Sequence, residues 1–177
     1  MDNAKIESFN GRLRLECLNE HWLMSFEDAR EKVESWRTFG WIFSGVAALG
    51  VLIPTFIAIA PSTVDMVRTL RFLPAVLLFS AINAFTEEVY FRAGLLTTLT
   101  EVLGKGQTLL LSAVFFGLAH WLWGSPPGLV GFLMTGFLAW LLGKSMLETR
   151  GLGWPWFIHF VPDVVIFFSY ALLRVKG

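Results

Sequence analysis

Three short stretches of this chain carry ionisable side chains inside sequence that is otherwise apolar. Glu87, Glu88 and Arg92 fall in "INAFTEEVYFRAG", residues 82–94; His120 closes "FFGLAH"; His159 and Asp163 bracket "HFVPD". A carboxylate that can take a proton from water, with imidazoles and a second acid nearby, is the equipment of general-base hydrolysis. Helical spacing divides the first stretch. Glu88 and Arg92 are four residues apart on one helix face, where an ion pair lowers the cost of burying both. Glu87 lies about 100° around the helix from Glu88 and is left without a partner on its own helix, which makes it the candidate general base. The same three groups could instead form a buried network that only fixes helix packing.

The histidines extend the constellation. Phe116, four residues before His120, can pack on its ring and fix its direction. Asp163, four residues after His159, can accept a hydrogen bond from it and orient the imidazole. Pro162 between them removes a backbone donor, kinks the helix and leaves the Ile158 carbonyl unpaired. His21 lies in a polar region and reads as a surface residue. Other intramembrane chemistries lack their parts, since the chain has no G-x-S-x-G, no H-E-x-x-H and a single aspartate, Asp163, within the predicted helices. Glu87, His120 and His159 are also the ligand types of catalytic zinc, so a metal site is the alternative to a metal-free one.

The elements that must position these groups are membrane helices. The 177 residues are 55% apolar and 16% charged, with a mean hydropathy of +0.60, whereas soluble domains carry about 25% charged residues. Five spans are expected: Trp41–Ala60; a second from near Phe72, after a loop "PSTVDMVRTLR", to Arg92; Thr108 to about Trp123, closed by "GSPPG"; Leu129–Gly143; and Trp154 to about Leu173. Within Phe72–Arg92, ten residues are Phe, Leu, Ile or Val, contributing roughly −3 to −6 kcal/mol to insertion. Three charges oppose them at roughly +2.5 to +3.5 kcal/mol each. The charged face must therefore point into a bundle rather than at lipid.

The fourth span repeats small residues every fourth position, Gly131, Thr135, Ala139 and Gly143, a face that admits another helix closely. If the third and fifth spans entered the bilayer at equal levels, His120 would lie roughly 18 Å deep and His159 only about 8 Å.

Residues 1–40 differ in kind and form a polar, amphipathic arm ahead of a membrane domain at 41–177. Ser25 and Asp28 fit a capping box, and Phe26, Ala29, Val33 and Trp36 share one helix face that could lie on the membrane or pack on the loops. The N-terminus lacks a basic region followed by an apolar core, so the first span is expected to act as its own insertion signal. Net charge is zero and no basic field argues for a nucleic-acid partner. Cys17 is the single cysteine and has no internal partner. Lys and Arg near the span ends favour a cytoplasmic N-terminus.

Taken in order, "EEVYFR" reads as E-E-x-x-x-R, "FGLAH" as F-x-x-x-H and "HFVPD" as H-x-x-x-N/D. Over about Leu73–Tyr170 the chain resembles the CPBP intramembrane proteases, which include the type II CAAX prenyl endopeptidases and the Abi proteins. The resemblance implies an all-α polytopic bundle of about five helices around a polar cavity. It implies peptide hydrolysis in which Glu87 and His120 activate water, His159 and Asp163 hold the water or stabilise the oxyanion, and Arg92 pairs Glu88 structurally. It also implies no metal, a membrane-protein or lipidated-peptide substrate, and a multi-pass protein of the bacterial inner membrane. Two positions depart from the family pattern: Ala93 separates Arg92 from Gly94, and Asp163 stands where the prenyl-protein proteases have Asn. Some relatives are linked to bacteriocin immunity or scaffolding, so a non-catalytic adaptor that retains the polar core is the alternative; a small proton-coupled transporter lacks the expected inverted repeats.

Overall fold

The computed structural model describes residues 26–124 and 127–176; Cys17, His21, Ser25 and Pro126 lie outside the described residues. Every described element is helical. In chain order they are α1 (Phe26–Ile59), α2 (Thr63–Thr69), a 3-10 turn (Leu70–Phe72), α3 (Leu73–Glu88), a π-helical segment (Val89–Leu96), α4 (Thr97–Leu103), α5 (Lys105–Trp123), α6 (Gly128–Thr149) and α7 (Gly153–Lys176). Five of the resulting helical stretches are long and apolar enough to cross a membrane: Arg30–Ile59, Thr63–Leu103, Lys105–Trp123, Gly128–Thr149 and Gly153–Lys176. The expected all-α polytopic bundle is present.

The second span begins earlier than expected. Residues 63–69, assigned to a loop, are α2, started by a reciprocal capping box in which the Asp65 amide donates to Ser62 Oγ (3.2 Å) and the Ser62 amide to Asp65 Oδ2 (2.9 Å). The 3-10 turn then carries the chain into α3, so α2 to α4 form one stretch of 41 residues. The polar composition of this stretch masked a Ser-x-x-Asp helix start, which satisfies two otherwise orphaned donors at once. The first helix likewise runs without a break across residue 40.

Helices α1 and α7 run side by side in the same direction. At one end Trp154 Nε1 donates to the Val33 carbonyl (3.0 Å), and Trp36 is buried against Leu141, Leu142 and Ile158 while its indole donates to Glu148 Oε2 (2.8 Å). At the other end Lys176 donates to the carbonyls of Ile59 and Ala60, the orphan acceptors at the close of α1. Of the apolar face expected on the arm, Trp36 is thus core, whereas Val33 stays half-exposed.

Helix α3 lies antiparallel to α7, with Phe79 stacked on Phe167 and residues 83–88 beside residues 159–163. Helices α5 and α6 approach closely because glycines line their contact. A Cβ on Gly117 would sit 2.8 Å from the Phe132 carbonyl oxygen, and one on Gly143 would sit 2.8 Å from Leu109 Cδ2. Gly131 and Ala139 are also buried, as the small-residue repeat requires. Apolar side chains cover much of the remaining surface, Ile57 and Val102 among them, which suits a solvent of lipid tails.

Candidate active site

Glu87 and Glu88 occupy the last turn of α3, where the helix gives way to the π-helical segment. A π turn is rare, and a single one within a helix often marks a functional position. Here it carries Arg92 into the interior, where Arg92 and Glu88 are both fully buried and pair at 3.2 Å. The guanidinium also lies 4.5 Å from the centre of the Phe116 ring on α5, a cation–π contact that partly replaces lost solvation. Ser112 Oγ, also on α5, donates to the Phe91 carbonyl inside the π segment (3.2 Å) and ties the two elements together.

Glu88 does more than pair with Arg92. The same oxygen, Oε1, accepts a hydrogen bond of 2.8 Å from His159 Nδ1 on α7. With a carboxylate opposite, Nδ1 carries the proton, and Nε2 is the nitrogen turned toward the other acids. His159 Nε2 lies 3.6 Å from Glu87 Oε2 and 3.8 Å from Asp163 Oδ1. The expected His159–Asp163 hydrogen bond is therefore replaced by one to Glu88. An i,i+4 spacing brings the two side chains near each other, but the buried Glu88 offers the better acceptor geometry.

Glu87 is not without a partner, as the view of a single helix suggested. Asn83, one turn earlier on α3, donates from Nδ2 to Glu87 Oε1 (3.2 Å) and to Asp163 Oδ2 (3.1 Å). Sequence reasoning missed Asn83. Its spacing of four from Glu87 was visible, but its second partner comes from α7, eighty residues later. Glu87 Oε2, by contrast, is buried with no hydrogen-bond partner among the described residues.

His120 is held by the turn before it. Its Nδ1 donates to the Phe116 carbonyl (3.0 Å), and its ring stacks on Phe116 with centroids 4.4 Å apart, as the F-x-x-x-H spacing predicts. This leaves Nε2 without a hydrogen bond among the described residues, on a half-buried ring. Phe116 also meets the His159 ring edge-on at 5.9 Å. One aromatic side chain thus touches both histidines and Arg92, which brings the two histidines closer together than equal entry levels for α5 and α7 would allow. No hydrogen bond joins His120 to Glu87, His159 or Asp163 among the described residues. Pro162 is buried within an α7 that stays helical from Gly153 to Lys176.

This geometry gathers Glu87, Glu88, Arg92, Asn83, His159 and Asp163 into one buried cluster, with Phe116 linking it to His120. Comparison with known proteins gives the family of the chain. The family described as type II CAAX prenyl endopeptidase Rce1-like matches residues 69–165, more than half of the chain and all three motif stretches. The chain belongs to this family. The CAAX endopeptidase-like match begins at the last residue of α2 and excludes all of α1. Residues 1–39 match a different model, an integrase core domain. A 35-residue segment is 60% identical to the uncharacterized 39.2 kDa protein of insertion element IS476 from Xanthomonas euvesicatoria. A segment of the same length is 57% identical to the uncharacterized 31.7 kDa protein of insertion element IS407 from Burkholderia multivorans. Each segment is 20% of this chain and spans only 10% and 13% of those proteins. No solved structure matches. Among the described residues, no group of three or more His, Cys, Asp or Glu side chains is disposed to hold a metal ion.

Proposed function

We propose that the protein is an intramembrane endopeptidase in which Glu87 activates water against a peptide bond. The observation that carries this reading is Glu87 Oε2, buried without a hydrogen-bond partner among the described residues and facing His159 Nε2 at 3.6 Å. Asn83 holds the other carboxylate oxygen and fixes the direction of this one. Glu87 takes a proton from water as the water oxygen bonds to the peptide carbonyl carbon. The tetrahedral intermediate then collapses as the carbon–nitrogen bond breaks, and the proton on Glu87 passes to the departing amine. His159, held by Glu88 at Nδ1 and acting as an imidazolium, donates from Nε2 to the oxyanion, much as a buried acid orients and charge-balances the histidine in other hydrolases. Asp163 steadies the same nitrogen. His120 presents its Nε2 from the half-buried side and completes the hold on the water.

No step in this scheme passes through a metal. Family membership supports a membrane-associated or lipidated peptide substrate. Arg30, Lys32, Arg37, Lys105, Lys144 and Arg150 cluster at the end of the bundle that holds the start of α1, against Arg68, Arg71, Arg174 and Lys176 at the other. This bias supports a cytoplasmic N-terminus in a bacterial inner membrane.

Wild-type protein in liposomes, given a farnesylated peptide with a CAAX-type carboxyl terminus in oxygen-18 water, tests the reaction. Mass spectrometry should find one heavy oxygen in the new carboxylate, and the rate should be unchanged by EDTA. A rate abolished by EDTA and restored by zinc would contradict the metal-free scheme.

A further inference from the structure

The last motif of the chain ends in a carboxylate, Asp163, and a second carboxylate, Glu87, faces the same His159 nitrogen. Two acids that converge on one site within the bundle repel each other unless a donor lies between them. Asn83 is that donor. Its single amide nitrogen reaches Glu87 Oε1 at 3.2 Å and Asp163 Oδ2 at 3.1 Å, and its two protons match two acceptors. Both contacts fall on the oxygens that do not face His159. The bridge therefore sets the rotation of both carboxylates and leaves Glu87 Oε2 and Asp163 Oδ1 turned to the imidazole. Asn83 sits one turn before Glu87 on regular α3, with its side chain half-buried, so helix geometry and not a loop fixes its reach.

We infer that Asn83 is a positioning residue for hydrolysis, bridging Glu87 and Asp163 so that Glu87 Oε2 is presented to the water while Asp163 Oδ1 faces the His159 imidazole. The inference rests on the hydrolytic reading of this site.

The test uses full-length protein in nanodiscs and the farnesylated CAAX-type peptide as probe. Asn83→Ala removes the bridge, and Asn83→Asp keeps the shape while replacing the donor with a third acid. Both variants should lower kcat by about 10²-fold, the scale of a reacting group misplaced by about 1 Å, with KM little changed. Wild-type kcat in Asn83→Asp, or a loss confined to KM, would overturn the inference. Glu87→Gln run in parallel separates the two levels of the argument. Full activity there overturns hydrolysis by Glu87 and the positioning role with it, whereas inactivity there with full activity in both Asn83 variants overturns the positioning role alone. Thermal melting supplies a readout that needs no substrate. Asn83→Ala should lower the melting temperature, and adding Asp163→Asn should recover most of that loss, because one acid then no longer opposes the other. Simply additive shifts would contradict the bridge.

Discussion

Glu88 holds two partners with one oxygen, the Arg92 guanidinium and the His159 imidazole, and all three side chains are buried. No Arg92 nitrogen has a hydrogen bond of good geometry among the described residues, so the charge of Glu88 is what offsets its burial. Removing one member of a buried pair typically costs about 3 to 5 kcal/mol. Glu88→Gln should therefore destabilise the detergent-solubilised protein by an amount on that order, whereas Glu87→Gln should change stability little, as judged by denaturant or thermal unfolding. Equal losses would contradict the division between a structural and a reacting acid. Local spacing made part of this division legible: four-residue steps found the Glu88–Arg92 pair and the Phe116–His120 stack. The Glu88–His159 bond and the Asn83 bridge were hidden, because each joins α3 to α7 and no helical period relates residues more than seventy positions apart.

Close approach between helices depends on positions where a side chain would not fit. At Gly117 a methyl group would lie 2.8 Å from the Phe132 carbonyl oxygen, and the obstacle is backbone that can yield only if α5 and α6 move apart. Overpacking of this kind costs about 1 to 3 kcal/mol. Gly117→Ala should lower stability by that amount and reduce activity too, since Phe116 and His120 ride on α5. Gly45, with nothing within 4 Å of a Cβ, is the control, and Gly45→Ala should leave thermal unfolding unchanged or raise its midpoint. Four of the five spans were legible as apolar runs of membrane-crossing length. The start of the second was not, because α2 is polar and short and is held by a capping box. Nor was the π-helical segment, because eight residues are too few for a change of helical period to show in the pattern of residue types.

At the scale of the molecule, parallel packing of α1 on α7 places Val33 and Trp36 beside Glu148 and Trp154 at one end, and Ile59 beside Lys176 at the other. Five crossings then put the α2 start and the α6–α7 turn on opposite faces. In a Cys17→Ser background, Gly151→Cys should react with a membrane-impermeant maleimide from the cytoplasmic side only, and Ser62→Cys from the other side only. Labelling of both from one side would contradict the topology. Composition and the length of the apolar runs made the membrane class plain, and three motifs in order made the family legible. The separate match of residues 1–39 to an integrase core domain carried no sign in charge or periodicity that a reading of residue types could use. The central claim concerns one oxygen of Glu87, and the most direct measurement is the cleavage rate of the farnesylated peptide by Glu87→Gln against wild type at equal folded concentration. The account predicts a loss of about 10²- to 10⁴-fold, the usual worth of a general base, with folding retained. A rate equal to wild type would contradict it.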